Sequence, residues 1–377
     1  MAFFNITGGV TSSITDKLVP YAVFDDRNMV VSGSNSNGQL GLNNTTQYSV
    51  FQTVPSITGF KQVAACGYIS MVLKTDGTLL ACGQNASGQL GLNNTTNYST
   101  FQTVPSITDV KQVSCGYRYT FALKTDGTLI SCGYNTQGAL GLGSIANKST
   151  FQSVPGITGI KQISTGWFHT IALKTDGTLL SCGRNAQGQL GINSTTSSNY
   201  STFQTVPSIT GIKQVAGGEG HTIALKTDGT LLSCGTNSNG QLGMGNSSSY
   251  SVFQSVPGVT GIKQISCGRY FSIAVKNDGT LLACGQNAQG QLGLNNATNK
   301  NSFVSVPSIT NVRQISAGRY QAIAVINDGT TIACGYNGYG QLGLNAATNI
   351  NFSTYRSIPG VAGVKQVVCS NTHTIII

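Results

Sequence analysis

Seven copies of one short phrase constrain this chain more than any other feature. Gly-Gln-Leu-Gly, written Gly-Ala-Leu-Gly once, recurs with its first glycine at Gly38, Gly88, Gly138, Gly188, Gly240, Gly290 and Gly340. The steps are 50, 50, 50, 52, 50 and 50 residues within a chain of 377. A period of that length, held throughout with no linker, specifies a repeat array folded as one domain.

One unit carries four strand signals. Lys111-Gln112-Val113-Ser114-Cys115 is short and bounded by Gly116. Thr120-Phe121-Ala122-Leu123-Lys124 follows, and Asp126-Gly127 turns it into Thr128-Leu129-Ile130-Ser131-Cys132. Asp-Gly between two apolar runs is a strong hairpin signal. An Asn/Gly-rich connection from Gly133 to Ser149 then leads to Phe151-Gln152-Ser153-Val154-Pro155. Its proline assigns that strand to the sheet edge. No helical period appears over a useful length. Four short antiparallel strands cannot bury both faces of one blade. Seven such blades stacked radially can, so the expectation is an all-β, seven-bladed β-propeller of four-stranded antiparallel blades.

Gly166-Trp167-Phe168-His169-Thr170, Ala-Leu, Asp-Gly, Cys-Gly-x-Asn and Gly-Gln-Leu-Gly together resemble the RCC1 (regulator of chromosome condensation) repeat family, over residues 20–377. The even spacing is similar to bacterial or phage members. The resemblance implies the same seven-bladed propeller. From the eukaryotic founder it also implies nucleotide exchange on a small GTPase and docking on chromatin. No copy is longer than its neighbours by more than two residues, so the founder's protruding wedge has no counterpart.

Residues 1–19 lie outside the clean repeat and are expected to form an arm, a candidate for attachment to a larger assembly. Residues 20–377 form the propeller. Tyr21-Ala22-Val23-Phe24-Asp25-Asp26 reads as a second strand, yet Thr372-His373-Thr374-Ile375-Ile376-Ile377 reads as one too. The termini should share a blade, and one copy of that strand has to be displaced.

Charged residues make up only 8% of the chain, against about 25% in an average domain. The surface is therefore Asn, Ser, Thr, Gln and Gly. Net charge is +10, from 21 Lys plus Arg against ten Asp and the single Glu219. Six of the ten cysteines hold one repeat position (Cys82, Cys132, Cys182, Cys234, Cys284, Cys334), and equivalent positions in neighbouring blades are too far apart for a disulfide. Buried thiols formed in a reducing compartment are expected. Metal ligation is not, because paired CxxC and His clusters are missing. Neither a cofactor motif nor a membrane span nor a secretory signal is read.

Strand alternation sorts the loops onto two faces. On one, the copies agree: Lys74, Lys124, Lys174, Lys226 and Lys276 open the Asp-Gly hairpins, while Lys61, Lys111, Lys161, Lys213 and Lys263 open the first strands with Arg313 and Lys365. A lysine ring can simply blunt strand ends; it can also bind a polyanion. On the other face the copies differ. The candidates for ligand contact are Tyr68, Tyr117, Arg118, Tyr119, Tyr134, Trp167, Phe168, Arg184, Glu219, Arg269, Tyr270, Arg319, Tyr320 and Tyr336. Tyr, Trp and Arg dominate binding energy at interfaces. His169, His221 and His373 share a loop position expected to pack inward. Glu219 two residues before His221 would allow an acid–base pair, a weak signal between neighbours on one loop.

These features point to a non-catalytic recognition module. The partner is expected to be a cell-surface glycan or protein receptor, as for an adhesive or receptor-binding protein of a phage tail or bacterial surface, located on a virion or cell exterior. The alternatives are an intracellular, cytoplasmic interaction scaffold or exchange-factor-like protein, and a polyanion binder using the lysine face with teichoic acid or nucleic acid as ligand; nucleic acid is not the expected partner.

Overall fold

A computed structural model describes residues 28–194, 198–345 and 350–377. Seven four-stranded antiparallel sheets are arranged as blades of a propeller. In blade three the strands run outward in chain order as Ile160–Thr165, His169–Lys174, Leu179–Gly183 and Tyr200–Thr205. Blades one, two, four, five and six repeat this order over residues 60–103, 110–153, 212–255, 262–305 and 312–357. The outer strand of blade two, Lys148–Ser153, stops before Val154-Pro155, so proline closes the strand instead of lying within it.

Blade seven settles the duplicated strand. Its inner strands are Val367–Cys369 and His373–Ile376, and its outer strands are Met29–Gly33 and Tyr48–Val54. Val30 pairs with Ile376 and Val31 with Ile375. The carboxy-terminal copy thus supplies the second strand. The competing copy at 21–26 and the arm expected at 1–19 lie outside the described residues.

The core lies between blades. Ile223, Leu225 and Leu231 of blade four pack on Ile262, Ile265 and Ala274 of blade five, and the six other interfaces repeat the arrangement. The Gly-Gln-Leu-Gly turn is the dowel of each joint. Its leucine is fully buried, and in blade three Leu190 donates its amide to Asn185 Oδ1 at 3.1 Å. The Gln189 carbonyl accepts from Thr222 and Cys234 of the next blade. Gly191 has φ of 68°, and a Cβ there would stand 2.5 Å from the Phe253 ring, so the phrase needs its last glycine.

A second belt runs around the channel, built from first-strand glutamines that reach the neighbouring blade. Gln214 donates to the Ile265 carbonyl at 3.2 Å and accepts from the Ile265 amide at 3.0 Å. Gln62, Gln112 and Gln162 make the same pair of bonds to Val113, Ile163 and Val215. Gln366 does so to Val63 and joins blade seven to blade one, whereas Gln264 only accepts from the Ile315 amide and Gln314 Oε1 has no partner among the described residues. The side-chain amide replaces a missing strand partner. We expect Gln214→Ala to lower unfolding free energy by about 1–2 kcal/mol, the cost of two lost bonds to backbone groups. Urea titration measures it, and a midpoint equal to wild type would reduce the belt to decoration.

The ten cysteines are free thiols. Burial pushes Cys66, Cys267 and Cys369 up to about 12, and such thiols are poor nucleophiles.

Candidate functional site

The loops that leave the first strands converge on one mouth of the channel. In blades two, three, five and six the first two of their three positions are part-exposed, while the third is buried in every blade. Ile69, Tyr119, His169, His221, Phe271, Gln321 and His373 are all fully buried. That residue begins the second strand, and the preceding glycine leaves room for its side chain: a Cβ on Gly116 would stand 2.1 Å from the Tyr119 ring. Tyr119 is therefore a correction to the surface set. Its hydroxyl donates across the joint to the His169 carbonyl at 2.6 Å.

The histidines do equivalent work. His169 Nε2 lies 3.0 Å from Thr222 Oγ1, His221 Nε2 3.0 Å from Ser272 Oγ, and His373 Nε2 2.8 Å from Ser70 Oγ. Burial holds all three down at about 3, with nearby His221 and Arg184 adding to the effect at His169. The pairing of Glu219 with His221 does not form, since the imidazole is inside the joint and the carboxylate outside it.

Glu219 instead joins an aromatic and arginine lattice. It forms an ion pair with Arg269 and accepts from the Tyr270 hydroxyl at 3.0 Å. The Arg269 guanidinium lies over three rings: Trp167 at 4.8 Å, Tyr270 at 4.6 Å and Tyr320 at 5.6 Å. Arg319 lies over Tyr320 at 5.0 Å and Trp167 at 5.8 Å. These spacings are those of cation–π attraction. On its other side Trp167 stacks on Tyr117 at 4.8 Å and 11°, and Phe168 meets both rings edge-on. Burial alone would make Arg269 easier to deprotonate, but Glu219 outweighs it and holds the guanidinium charged.

Trp167 and Arg269 thus roof the channel. Beneath them is a cavity of about 110 Å³ lined by Cys66, Cys115, Cys267, Cys369 and small residues. Two recesses flank the roof. Arg184, Glu219 and Tyr270 share one of about 530 Å³. Arg319, Tyr320 and Tyr336 line another of about 250 Å³ with Tyr339, Gln289 and Asn371. Tyr134 touches Phe168, and Arg118 lies over Tyr117. Burial first, and then the nearby Tyr117 and Tyr339, push the Tyr68 hydroxyl above its ordinary pKa. Buried Arg118 Nε and Arg319 Nε have no hydrogen-bond partner among the described residues. Arg319 forms no ion pair among them either.

Sequence reasoning missed Tyr339, which packs on Tyr336. Its signal was available: the other copies place Asn37, Ser87, Gln137, Gln187, Asn239 and Gln289 at that turn position. The lysine face is also less uniform than the sequence implies. Lys74, Lys174, Lys226 and Lys276 each pair with the Asp two residues on, so the hairpin rim is largely neutralised. Lys61 and Lys111 donate to carbonyls of the next blade. Among the described residues there is no group of His, Cys, Asp and Glu placed to hold a metal, and no helix long and apolar enough to cross a membrane.

The chain matches the family model described as the RCC1-like domain in two overlapping stretches, residues 18–307 and 153–377. Yeast (Saccharomyces cerevisiae) Prp20p, whose structure was described with its binding properties toward Gsp1p and histones, superposes with a TM-score of 0.83 at 20% identity, covering 93% of this chain and 91% of that one. Human WBSCR16 gives 0.83 at 20% identity over 93% and 98%. Yeast RCC1 (Prp20) bound to Kap60 gives 0.83 at 18% identity over 100% and 96%. No curated protein sequence matches.

Proposed function

The chain belongs to the RCC1-like domain family, and on that premise we propose that it is a non-catalytic protein-recognition module working through the face that Trp167 roofs. One observation carries the reading. The blades are near copies in their joints, yet Trp167, Glu219, Arg269, Tyr270, Arg319 and Tyr320 come from four of them to form one contiguous lattice. Stability does not require that chemistry, because other copies of the loop close with Gly67, Asn371 or Thr372 at the same two positions. Trp, Tyr and Arg gathered at the centre of a rigid face are what an interface anchor needs. Prp20p, with the same fold, is described as binding Gsp1p and histones, which makes protein the first partner class to test. The Arg319 guanidinium, which lies over Tyr320 and forms no ion pair among the described residues, favours a carboxylate on that partner.

A glycan reading draws on the recess of Tyr320, Tyr336 and Tyr339, where Gln289 and Asn371 stand beside aromatic faces. It would make the chain a receptor-binding protein.

The test is photo-crosslinking from position 168 and, separately, from position 126, followed by affinity measurement on the partner identified. We expect labelling from 168 alone. Trp167→Ala and Arg319→Ala should each weaken binding by about 30-fold, or about 2 kcal/mol, with melting unchanged. Labelling from 126 alone, or wild-type affinity in both variants, rejects the reading. A saccharide captured with the same residue dependence replaces protein with glycan.

A further inference from the structure

At the opposite mouth of the channel the chain leaves cations without counter-charge. Lys161, Lys213, Lys263 and Arg313, from blades three to six, line one recess of about 650 Å³ with Gln162, Gln214 and Gln264. No carboxylate is in that lining. The surrounding hairpins differ: there Lys226 and Asp228 are 2.9 Å apart and Lys276 and Asp278 3.4 Å apart. Positive potential is therefore concentrated at the axis.

Three of the four inner cations are also held in place. In each blade the register between first and second strands slips across the cation, as between Ile160 and Gln162, Ile212 and Gln214, Ile262 and Gln264, and Val312 and Gln314. Such a bulge bends the strand and re-aims the residue it frees. Lys161 and Lys213 then donate to the Ile212 and Ile262 carbonyls at 3.3 Å, and Arg313 donates to the Val364 carbonyl. An ammonium carries three donors and a guanidinium five. Each anchored cation thus keeps at least two donors for a ligand, and part of the ordering cost is met before binding.

We propose that this recess is a binding site for a compact polyvalent phosphate. Four cations around one opening suit a small molecule with several phosphates in reach of each other. An extended nucleic-acid backbone needs a basic track, and the neutralised hairpin rim interrupts it. The site lies on the other face from the recognition lattice and stands or falls independently of it.

Titration calorimetry with inositol hexakisphosphate and with inorganic tripolyphosphate tests this, using the full chain at ~50 and ~300 mM salt to vary the screening. One site is expected, with affinity falling at least ~10-fold across that range. Lys213→Gln with Lys263→Gln should weaken binding at least ~10-fold, whereas Lys74→Gln, Lys174→Gln and Lys226→Gln together should change it by less than ~2-fold. Lys213→Arg with Lys263→Arg should retain binding and guards against a folding defect in the Gln pair. Equal losses in the inner and hairpin variants would mean diffuse charge and overturn the site. No binding at ~50 mM salt, or a DNA duplex that binds and is not displaced by either phosphate, would overturn it as well.

Discussion

Between pH 7.5 and pH 5 this protein is expected to lose about 6 kcal/mol of unfolding free energy, through three buried histidines. His169, His221 and His373 are held near 3 in the folded joint by burial, against about 6.5 when unfolded. The unfolded chain therefore binds more protons everywhere between those values, and stability falls as pH falls. The contribution is fully present above about 6.5 and drains away down to about 3. At pH 5 each histidine accounts for about 2 kcal/mol, a large share of the ~5–15 kcal/mol typical of a domain. The hairpin aspartates, held low first by bonds from Thr78, Thr178 and Thr230 in the cases of Asp76, Asp176 and Asp228, act in the same direction only below about 3.8. The two windows overlap only between about 3 and about 3.8. Blade six supplies the control, because Gln321 holds the histidine position there and donates to the Ser370 carbonyl at 2.8 Å. Replacing all three histidines by Gln should flatten urea midpoints between pH 7.5 and 5. A wild-type midpoint that does not move over that range contradicts the account.

Ile376→Asp is expected to cost more than about 4 kcal/mol and to open the ring. Ile376 is fully buried among Val30, Phe51 and Ile323, and it pairs with Val30 on one side and Val367 on the other. It thus sits where the two ends of the ring meet. A carboxylate there has no partner, and burying one is among the few single changes of that size. Ile376→Val should cost about 1 kcal/mol. Small-angle scattering distinguishes an opened ring from the closed form, and an unchanged radius with an unchanged urea midpoint for the aspartate would show that blade seven does not hold the ring.

Much of this fold was legible because the repeat states its rules seven times. The blade, its hairpin and the buried leucine of Gly-Gln-Leu-Gly depend on neighbours in sequence or on the next copy. Tyr119 escaped because loop position alone does not show whether a side chain turns outward or across a joint. The hairpin lysines count for less than their number because the turn folds the Asp two residues away back within reach, and a tally of like charges ignores it.

The sequence by itself determined the number of blades, the strand order within each and the division of loops between two faces. Period, turn chemistry and strand alternation are local and need no long-range contact. Tertiary structure decided the rest: that the carboxy-terminal strand His373–Ile376 is the one that pairs with Met29–Gly33, that Arg269 meets Trp167 and Tyr320 from other blades, and that the bulged cations face one opening. Each depends on which residues 50 or more positions apart are brought within a few ångströms, and only closure of the ring sets those distances.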